Sequence, residues 1–136
     1  MASLASRVPF SLLIVEDDPT ARSITARMVA LKFPECTIYS AEDGKKGLQL
    51  FREHPVDMVL TDINMPEMDG IEMARQIRVL SPDATYIVLT AYGDQGFFEQ
   101  FQEIGFCAYL MKPVDFKELF VTIEKCILGG KQGRAE

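Results

Sequence analysis

The sequence has few cysteines, a single histidine and no long apolar run, and each shortage excludes a class of protein. Its three cysteines, Cys36, Cys107 and Cys126, are odd in number and form no CxxC motif. They are predicted to be buried thiols of a reducing compartment rather than a disulfide framework or a zinc site. The apolar run from Phe10 to Val15 is far shorter than the roughly 20 residues that a bilayer requires. It is also too short for a signal-peptide core, so we expect a cytoplasmic protein.

Basic residues are outnumbered as well: 14 Lys and Arg stand against 20 Asp and Glu, for a net charge of -6. This balance disfavours nucleic-acid binding, which depends on basic side chains that displace counterions. Motifs such as HExxH, GxGxxG or a P-loop are missing, and the one histidine, His54, has no serine partner to suggest a hydrolase. With 136 residues, of which 48% are hydrophobic and 25% charged, the chain is predicted to form one globular domain.

Short β-rich runs alternate with helical patterns along the chain, which predicts βαβ units and an α/β fold with a doubly wound parallel sheet. The first helix is predicted to begin at Asp18–Pro19, an N-cap followed by proline, and to bury Ile24, Met28 and Leu31. Residues 10–128 are assigned to the domain, and residues 1–9 and 129–136 to frayed ends or a linker. The five strands are predicted at 10–15, 36–39, 56–61, 85–89 and 107–111.

Chemically active side chains follow four of these strands. All carboxyl ends of a parallel sheet share one edge, so residues after different strands converge there. Glu16, Asp17 and Asp62 would repel one another unless a hard cation such as Mg²⁺ neutralised them. Thr90 and Lys112 would add a hydroxyl and a cation suited to a phosphoryl group, and a carboxylate can be its acceptor. Taken singly, the acids could be an ordinary helix start or turn, and Lys112 a plain salt-bridge partner.

Four motifs occur in a fixed order along the chain: Leu-Ile-Val-Glu-Asp-Asp at 13–18, Leu-Thr-Asp-Ile-Asn-Met-Pro-Glu-Met-Asp-Gly at 60–70, Leu-Thr-Ala at 89–91 and Tyr-Leu-Met-Lys-Pro at 109–113. Together they resemble the receiver domains of bacterial two-component response regulators. The resemblance covers nearly the whole chain, from about Phe10 to Leu128, and it implies a flavodoxin-like (βα)5 sheet with the strand order 2-1-3-4-5.

The resemblance implies a role for each matched residue of the acidic site. Asp62 would accept the phosphoryl group from the phosphohistidine of a histidine kinase or a phosphotransfer protein. Glu16 and Asp17, together with Asp62 and the backbone carbonyl of Asn64, would hold the Mg²⁺ cofactor. Lys112 would pair with the phosphoryl group once it is in place. Such a domain catalyses only its own phosphorylation and dephosphorylation, so it is not expected to be an enzyme acting on a free substrate.

The same resemblance implies a switch and an output surface. Thr90 would be the switch hydroxyl and Tyr109 the aromatic side chain that turns inward, and the Lys112–Pro113 peptide bond would be cis. The face made by helix four, strand five and helix five would then be read by a downstream effector domain or protein, or by a second copy in a phosphorylation-dependent homodimer. Phe98 lies about 100° around its helix from the core positions, so it is predicted to face outward beside Tyr109.

Two other functions stay open on the residues alone. A metal-dependent phosphohydrolase also uses an aspartyl nucleophile, but it carries that residue after the first strand, usually as DxD. A phosphorylation-independent docking module would be favoured by loss of Asp62 or Lys112, and both are present. No contact with nucleic acid or membrane is expected. The chain is expected to be a stand-alone receiver or a fragment of a larger regulator or hybrid kinase, and the fragment is favoured.

Overall fold

Five strands alternate with five helices in the part of the chain that the computed structural model describes, which is residues 9–63, 65, 68–91 and 95–129. The predicted order of elements is confirmed, and only their ends differ. In chain order the elements are β1 (Phe10–Val15), α1 (Pro19–Lys32), β2 (Cys36–Ala41), α2 (Gly44–Glu53), β3 (Met58–Asp62), α3 (Gly70–Leu80), β4 (Thr85–Thr90), α4 (Gln95–Ile104), β5 (Ala108–Met111) and α5 (Phe116–Gly129).

The strands form one parallel sheet in the order β2-β1-β3-β4-β5, as the resemblance implied. Every residue of β3 and β4 is buried, and in β1 all but Ser11 are. This is the pattern of strands covered by helices on both faces, and it explains their continuous apolar runs. Because β1 and β3 lie side by side, with Val15 opposite Thr61, the residues that follow them are neighbours at one edge.

Alternate residues of each central strand point into two separate apolar layers. Leu13 and Val59 face a layer that includes the α4 residue Phe101. Leu12 and Leu60 face the other layer, which α1 and α5 cover. Burying each such side chain contributes about 1.5–3 kcal/mol, so both layers hold the edge of the sheet firmly in place.

Aspartate side chains begin the helices and fix where each loop ends. The carboxylate of Asp18 accepts a hydrogen bond from the N–H of Thr20 at the start of α1, and Pro19 occupies the first helical turn, as predicted. Asp43 and Asp69 cap α2 and α3 in the same way. The helix starts therefore lie at the carboxyl edge of the sheet, next to the predicted site.

The predicted buried face of α1 is wrong. Ile24 and Leu31 are 47% and 74% exposed, and Met28 is only half-buried. The helix buries Thr25 and Val29 instead. Consecutive residues of a helix point about 100° apart, so the predicted pattern and the observed one, displaced by a single position, bury different faces. Packing against the sheet selected the one that includes Val29.

The prediction that all three cysteines are free thiols is also wrong. Cys107 and Cys126 form a disulfide bond, with their Cα atoms 6.1 Å apart, whereas Cys36 is free and half-buried. The two bonded residues are 19 positions apart in the sequence. The fold brings them together because α5 packs back across the sheet beside β5, which cysteine spacing alone does not reveal.

The remaining observations concern the two ends of the chain, the single histidine and the possibility of a membrane-spanning helix. The frayed ends predicted at residues 1–9 and 129–136 lie almost wholly outside the described residues, and α5 continues to Gly129. His54 is exposed, and its ring stacks on Tyr39. Within the described ranges, every helix is too short or too polar to cross a membrane.

Candidate functional site

The acidic residues that follow β1 and β3 lie together at the carboxyl edge of the sheet. Glu16 is directly after β1 and Asp62 is the last residue of β3, and they are only 4% and 3% exposed. Asp17 is exposed beside them. One carboxylate oxygen from each of the three residues lies within 4.8 Å of the others. The structure therefore brings together the three acids that the sequence singled out.

Lys112 reaches this cluster from β5. Its Nζ lies 3.0 Å from Oδ2 of Asp62 and 3.4 Å from Oε1 of Glu16. The backbone holds the residue in position, because the N–H of Lys112 donates a 2.7 Å hydrogen bond to the carbonyl of Thr90. The peptide bond between Lys112 and Pro113 is cis, the geometry that the resemblance implied. Lys112 thus touches two of the acids at once.

The charges of the cluster are not balanced. Burial raises the pKa of Asp62 well above its usual range, and the neighbouring Glu16 raises it further, although Lys112 opposes both effects. Burial and the nearby Glu16 also raise the pKa of Asp17. Burial lowers the pKa of Lys112, but its bonds to Asp62 outweigh this and the net shift is upward. One lysine cannot neutralise three carboxylates, so additional positive charge would stabilise the site.

One oxygen of the cluster has no hydrogen-bond donor. Oδ1 of Asp62 is buried, and no described residue donates a hydrogen bond to it. A buried acceptor without a partner is costly, and metal coordination or a covalent bond to the oxygen relieves that cost. Together with the oxygen-only donor set, this orphan atom fits a hard cation such as Mg²⁺ held by Glu16, Asp17 and Asp62.

The loop after β3 approaches the sheet closely. The N–H of Gly70 donates a hydrogen bond to the carbonyl of Ile63, and a Cβ at position 70 would collide with the carbonyl oxygen of Asp62. Glycine is therefore required where α3 begins. Asn64, the residue predicted to add a carbonyl ligand, lies outside the described residues. So does the side chain of Phe98, which was predicted to face outward.

Thr90 and Tyr109, the predicted switch residues, lie on neighbouring strands and point to different surroundings. Thr90 is buried at the end of β4, and its hydroxyl donates a 3.0 Å hydrogen bond to Sδ of Met111. The Tyr109 side chain is 51% exposed, and its ring packs edge-on against Phe106. The thioether of Met111 was not singled out from the sequence, because methionine is only a weak acceptor and no motif marks it.

Two further contacts hold Glu16 and were also missed. The N–H of Asp18 donates to Oε2 of Glu16 at 3.1 Å, and Nη1 of Arg22 donates to its backbone carbonyl at 2.8 Å. Arg22 lies one turn inside α1, so its position depends on the rotation of that helix. Since the rotation of α1 predicted from the sequence was wrong, the contact between Arg22 and Glu16 could not be predicted.

A cleft of about 310 Å³ opens beside the acidic cluster, between α1 and the turn that follows β5. The exposed Ile24 and the half-buried Phe116 both line it. Three of its lining residues carry charge, and most of the others are apolar. Its lining residues are Glu16, Asp18, Ala21, Ile24, Thr25, Lys112, Pro113, Val114 and Phe116.

Known proteins are similar to this chain in both sequence and fold. The family model for the response regulator receiver domain matches residues 12–124. A probable chemotaxis protein CheY from Rhizobium etli is 33% identical over 126 residues, which is 90% of this chain and 94% of that protein. The transcriptional regulatory protein ZraR from Escherichia coli is 33% identical over 116 residues, 85% of this chain but 26% of ZraR. The chain therefore spans about a quarter of that regulator.

A solved structure gives the same result. The response regulator receiver domain protein (CheY-like) from Methanospirillum hungatei superposes with a TM-score of 0.83 at 26% identity. The match covers 92% of this chain and 98% of that one.

Proposed function

The chain belongs to the response regulator receiver domain family of two-component signalling, and on that premise we propose that Asp62 is its phosphorylation site. The observation that carries the proposal is the position of Lys112, whose Nζ contacts Asp62 and Glu16 within a buried acidic cluster. A domain of this family is a signalling module rather than a classical enzyme. The chemistry below is therefore a single transfer to its own side chain.

In the proposed transfer, a carboxylate oxygen of Asp62 attacks the phosphorus of a phosphohistidine. The new P–O bond forms as the P–N bond breaks, and the imidazole leaves with the electron pair of that bond and takes up a proton. Nζ of Lys112 is already 3.0 Å from Asp62, so it is positioned to pair with the incoming phosphoryl oxygens. Thr90 would give up its bond to Met111 and donate to the phosphoryl group instead.

Receiver domains bind Mg²⁺, and here Glu16, Asp17 and Asp62, with the backbone carbonyl of Asn64, would hold it. When bound, the ion supplies the positive charge that neutralises the acids and the phosphoryl oxygens. The residues of the chain orient the acceptor: Asp18 and Arg22 fix Glu16, and Lys112 fixes Asp62.

The proposed partners follow from the surfaces around the site. The apolar cleft beside Glu16 and Lys112 suits a helix of a histidine kinase or a phosphotransfer protein that presents its phosphohistidine to Asp62. The output would pass through α4, β5 and α5 to an effector domain or protein, or to a second copy. On that face Tyr109 is exposed, and we propose that Phe98 contributes beside it. We propose that residues 10–128 form the receiver domain. We also propose that the domain is located in the bacterial cytoplasm.

Labelling with acetyl phosphate and Mg²⁺ tests the acceptor. Intact mass should show one phosphoryl group that is labile to base, and Asp62→Asn should take up none. Asp57→Asn is the matched control, because Asp57 lies just before the opposite end of the same strand and should label as the wild type does. Full labelling of Asp62→Asn would contradict the assignment. Sustained hydrolysis of simple phosphomonoesters by the wild type would favour a phosphohydrolase. The absence of any labelling would favour a docking module.

A further inference from the structure

The disulfide pair lies outside the acidic cluster, yet it encloses residues that the cluster depends on. Cys107 directly precedes β5 and Cys126 lies in the last turns of α5. The covalent ring that they close therefore contains all of β5, the turn at Lys112–Pro113 and most of α5. Tyr109 and Lys112 are both inside it.

The two ends of the bond are anchored to different parts of the fold. The N–H of Cys107 donates a 2.8 Å hydrogen bond to the carbonyl of Tyr86, so its backbone is tied to β4. Cys126 is 3% exposed and lies in an apolar layer with Leu119 and Ile123 of α5. The bond joins the edge of the sheet to the helix across it. Because Leu119 and Ile123 of α5 are fully buried without any part in the bond, we expect α5 to stay packed when the bond is open.

The pair is suited to exchange with a small thiol. Its Cα–Cα distance of 6.1 Å lies within the usual range for disulfides, so the backbone need not move for the bond to form. Cys107 is only half-buried and a small reagent can approach it, whereas Cys126 is shielded. In a reducing compartment such a bond persists only while an oxidant is present.

The third cysteine cannot compete for this bond. Cys36 begins β2, at the opposite edge of the sheet from β5, and three strands lie between them. At about 4.8 Å per strand, the separation is on the order of 19 Å. Burial and the nearby Asp57 raise the pKa of the Cys36 thiol to about 12, so little thiolate is available there.

We propose that Cys107 and Cys126 are a reversible thiol–disulfide site, closed by low-molecular-weight disulfides of the glutathione class, which holds β5 to α5 and reduces the response of that face to phosphorylation. The regulatory part rests on the proposed phosphorylation of Asp62. The existence of the site does not, because the geometry of the pair is independent of the acidic cluster.

The exchange balances in two steps. The Cys107 thiolate attacks one sulfur of glutathione disulfide, which forms a mixed disulfide and releases one glutathione thiolate. The Cys126 thiolate then attacks the Cys107 sulfur and releases the second glutathione. The two protons of the cysteine thiols end on the two released glutathione molecules, so the protein loses two hydrogens and glutathione disulfide is reduced. An excess of reduced glutathione reverses both steps.

Thiol counting across glutathione redox mixtures tests the site. The full chain is equilibrated at each ratio, quenched with acid, alkylated in denaturant so that buried thiols also react, and weighed as the intact protein. We expect three alkylated thiols at the reducing end and one at the oxidising end, in one reversible transition. Cys36→Ser should show the same transition from two thiols to none. Three thiols under oxidising conditions, a glutathione adduct that never closes, or a bond that resists reduction in the folded protein would each overturn the proposal.

The regulatory part is tested by comparing the oxidised and reduced wild-type protein with Mg²⁺ and acetyl phosphate. Amide chemical-shift changes in β5 and α5 should be at least twofold smaller in the oxidised form, at equal phosphoryl incorporation by mass. Cys107→Ser and Cys126→Ala should respond alike under both conditions. Equal shifts in both forms of the wild type would overturn the regulatory part. If no phosphoryl group is incorporated, the function proposed for Asp62 fails while the thiol count still decides the site.

Discussion

The central strands and the edge strand β5 supply the same site but differ in how firmly the fold holds them. β1, β3 and β4 are almost wholly buried; Glu16 directly follows β1, and β3 and β4 end at Asp62 and Thr90. β5 has four residues, two of them exposed, and it is hydrogen-bonded to a strand on one side only. The proposed acceptor Asp62 and its neighbour Glu16 are therefore supplied by buried central strands, whereas Lys112 and Tyr109 come from a short, partly exposed edge strand.

Under the function proposed for Asp62, this difference in burial corresponds to two separate tasks within the sheet. Transferring a phosphoryl group requires an acceptor held within a fraction of an ångström, which buried strands provide. Reporting the transfer requires an element that can change position at a modest cost in free energy, and a short edge strand is such an element. The disulfide between Cys107 and Cys126 lies at this edge strand, where a covalent link restrains the position of β5 relative to α5.

The largest expected effect separates the two regions by stability. Leu60→Ala, at a fully buried position of β3, should lower the free energy of unfolding by about 3 kcal/mol, because it leaves a cavity in the apolar layer. Tyr109→Leu, at a 51% exposed position of β5, should lower it by less than about 1 kcal/mol. Urea denaturation followed by circular dichroism measures both. Equal losses would show that β5 is as firmly packed as the centre.

A smaller effect of opposite sign is expected at Asp62. Its pKa is raised, so the charged form destabilises the fold, and a neutral amide should raise the free energy of unfolding by about 1–2 kcal/mol in the presence of a chelator. Added Mg²⁺ should stabilise the wild type but not Asp62→Asn. Asp43→Asn, at an N-cap where both residues serve equally well, should change stability by less than about 0.5 kcal/mol. A less stable Asp62→Asn in chelator would contradict the repulsion described for the cluster.

The smallest effect should be the same in both regions. Asp18 caps α1 after a central strand, and Asp115 accepts hydrogen bonds from the N–H groups of Lys117 and Glu118 at the start of α5, after β5. Asp18→Ala and Asp115→Ala should each cost about 1 kcal/mol, since a capping bond depends on the local backbone and not on burial. Thermal denaturation of both variants, with the Asn substitutions as controls, measures this. A clear difference between the two would mean that the regions also differ locally.

Much of the candidate site could be predicted because its residues come directly after strands. A parallel sheet aligns its strand ends, so Glu16, Asp62 and Lys112 had to converge if the strands were placed correctly. Met111 and Arg22 could not be found in this way. Their contacts with Thr90 and Glu16 depend on side-chain direction and on the rotation of α1, which neither motif nor period specifies.

The sequence by itself determined the order of the strands and helices, the Asp18 cap of α1 and the residues at the carboxyl edge, because local periodicity and turn chemistry act over a few residues. Only the tertiary structure decided which face of α1 is buried, since Val29 and Ile24 are equally apolar and packing against the sheet selects between them. It also decided that Cys107 and Cys126 meet. Residues 19 positions apart become neighbours only when α5 folds back across the sheet. Local sequence patterns, which extend over a few residues, do not predict such a contact.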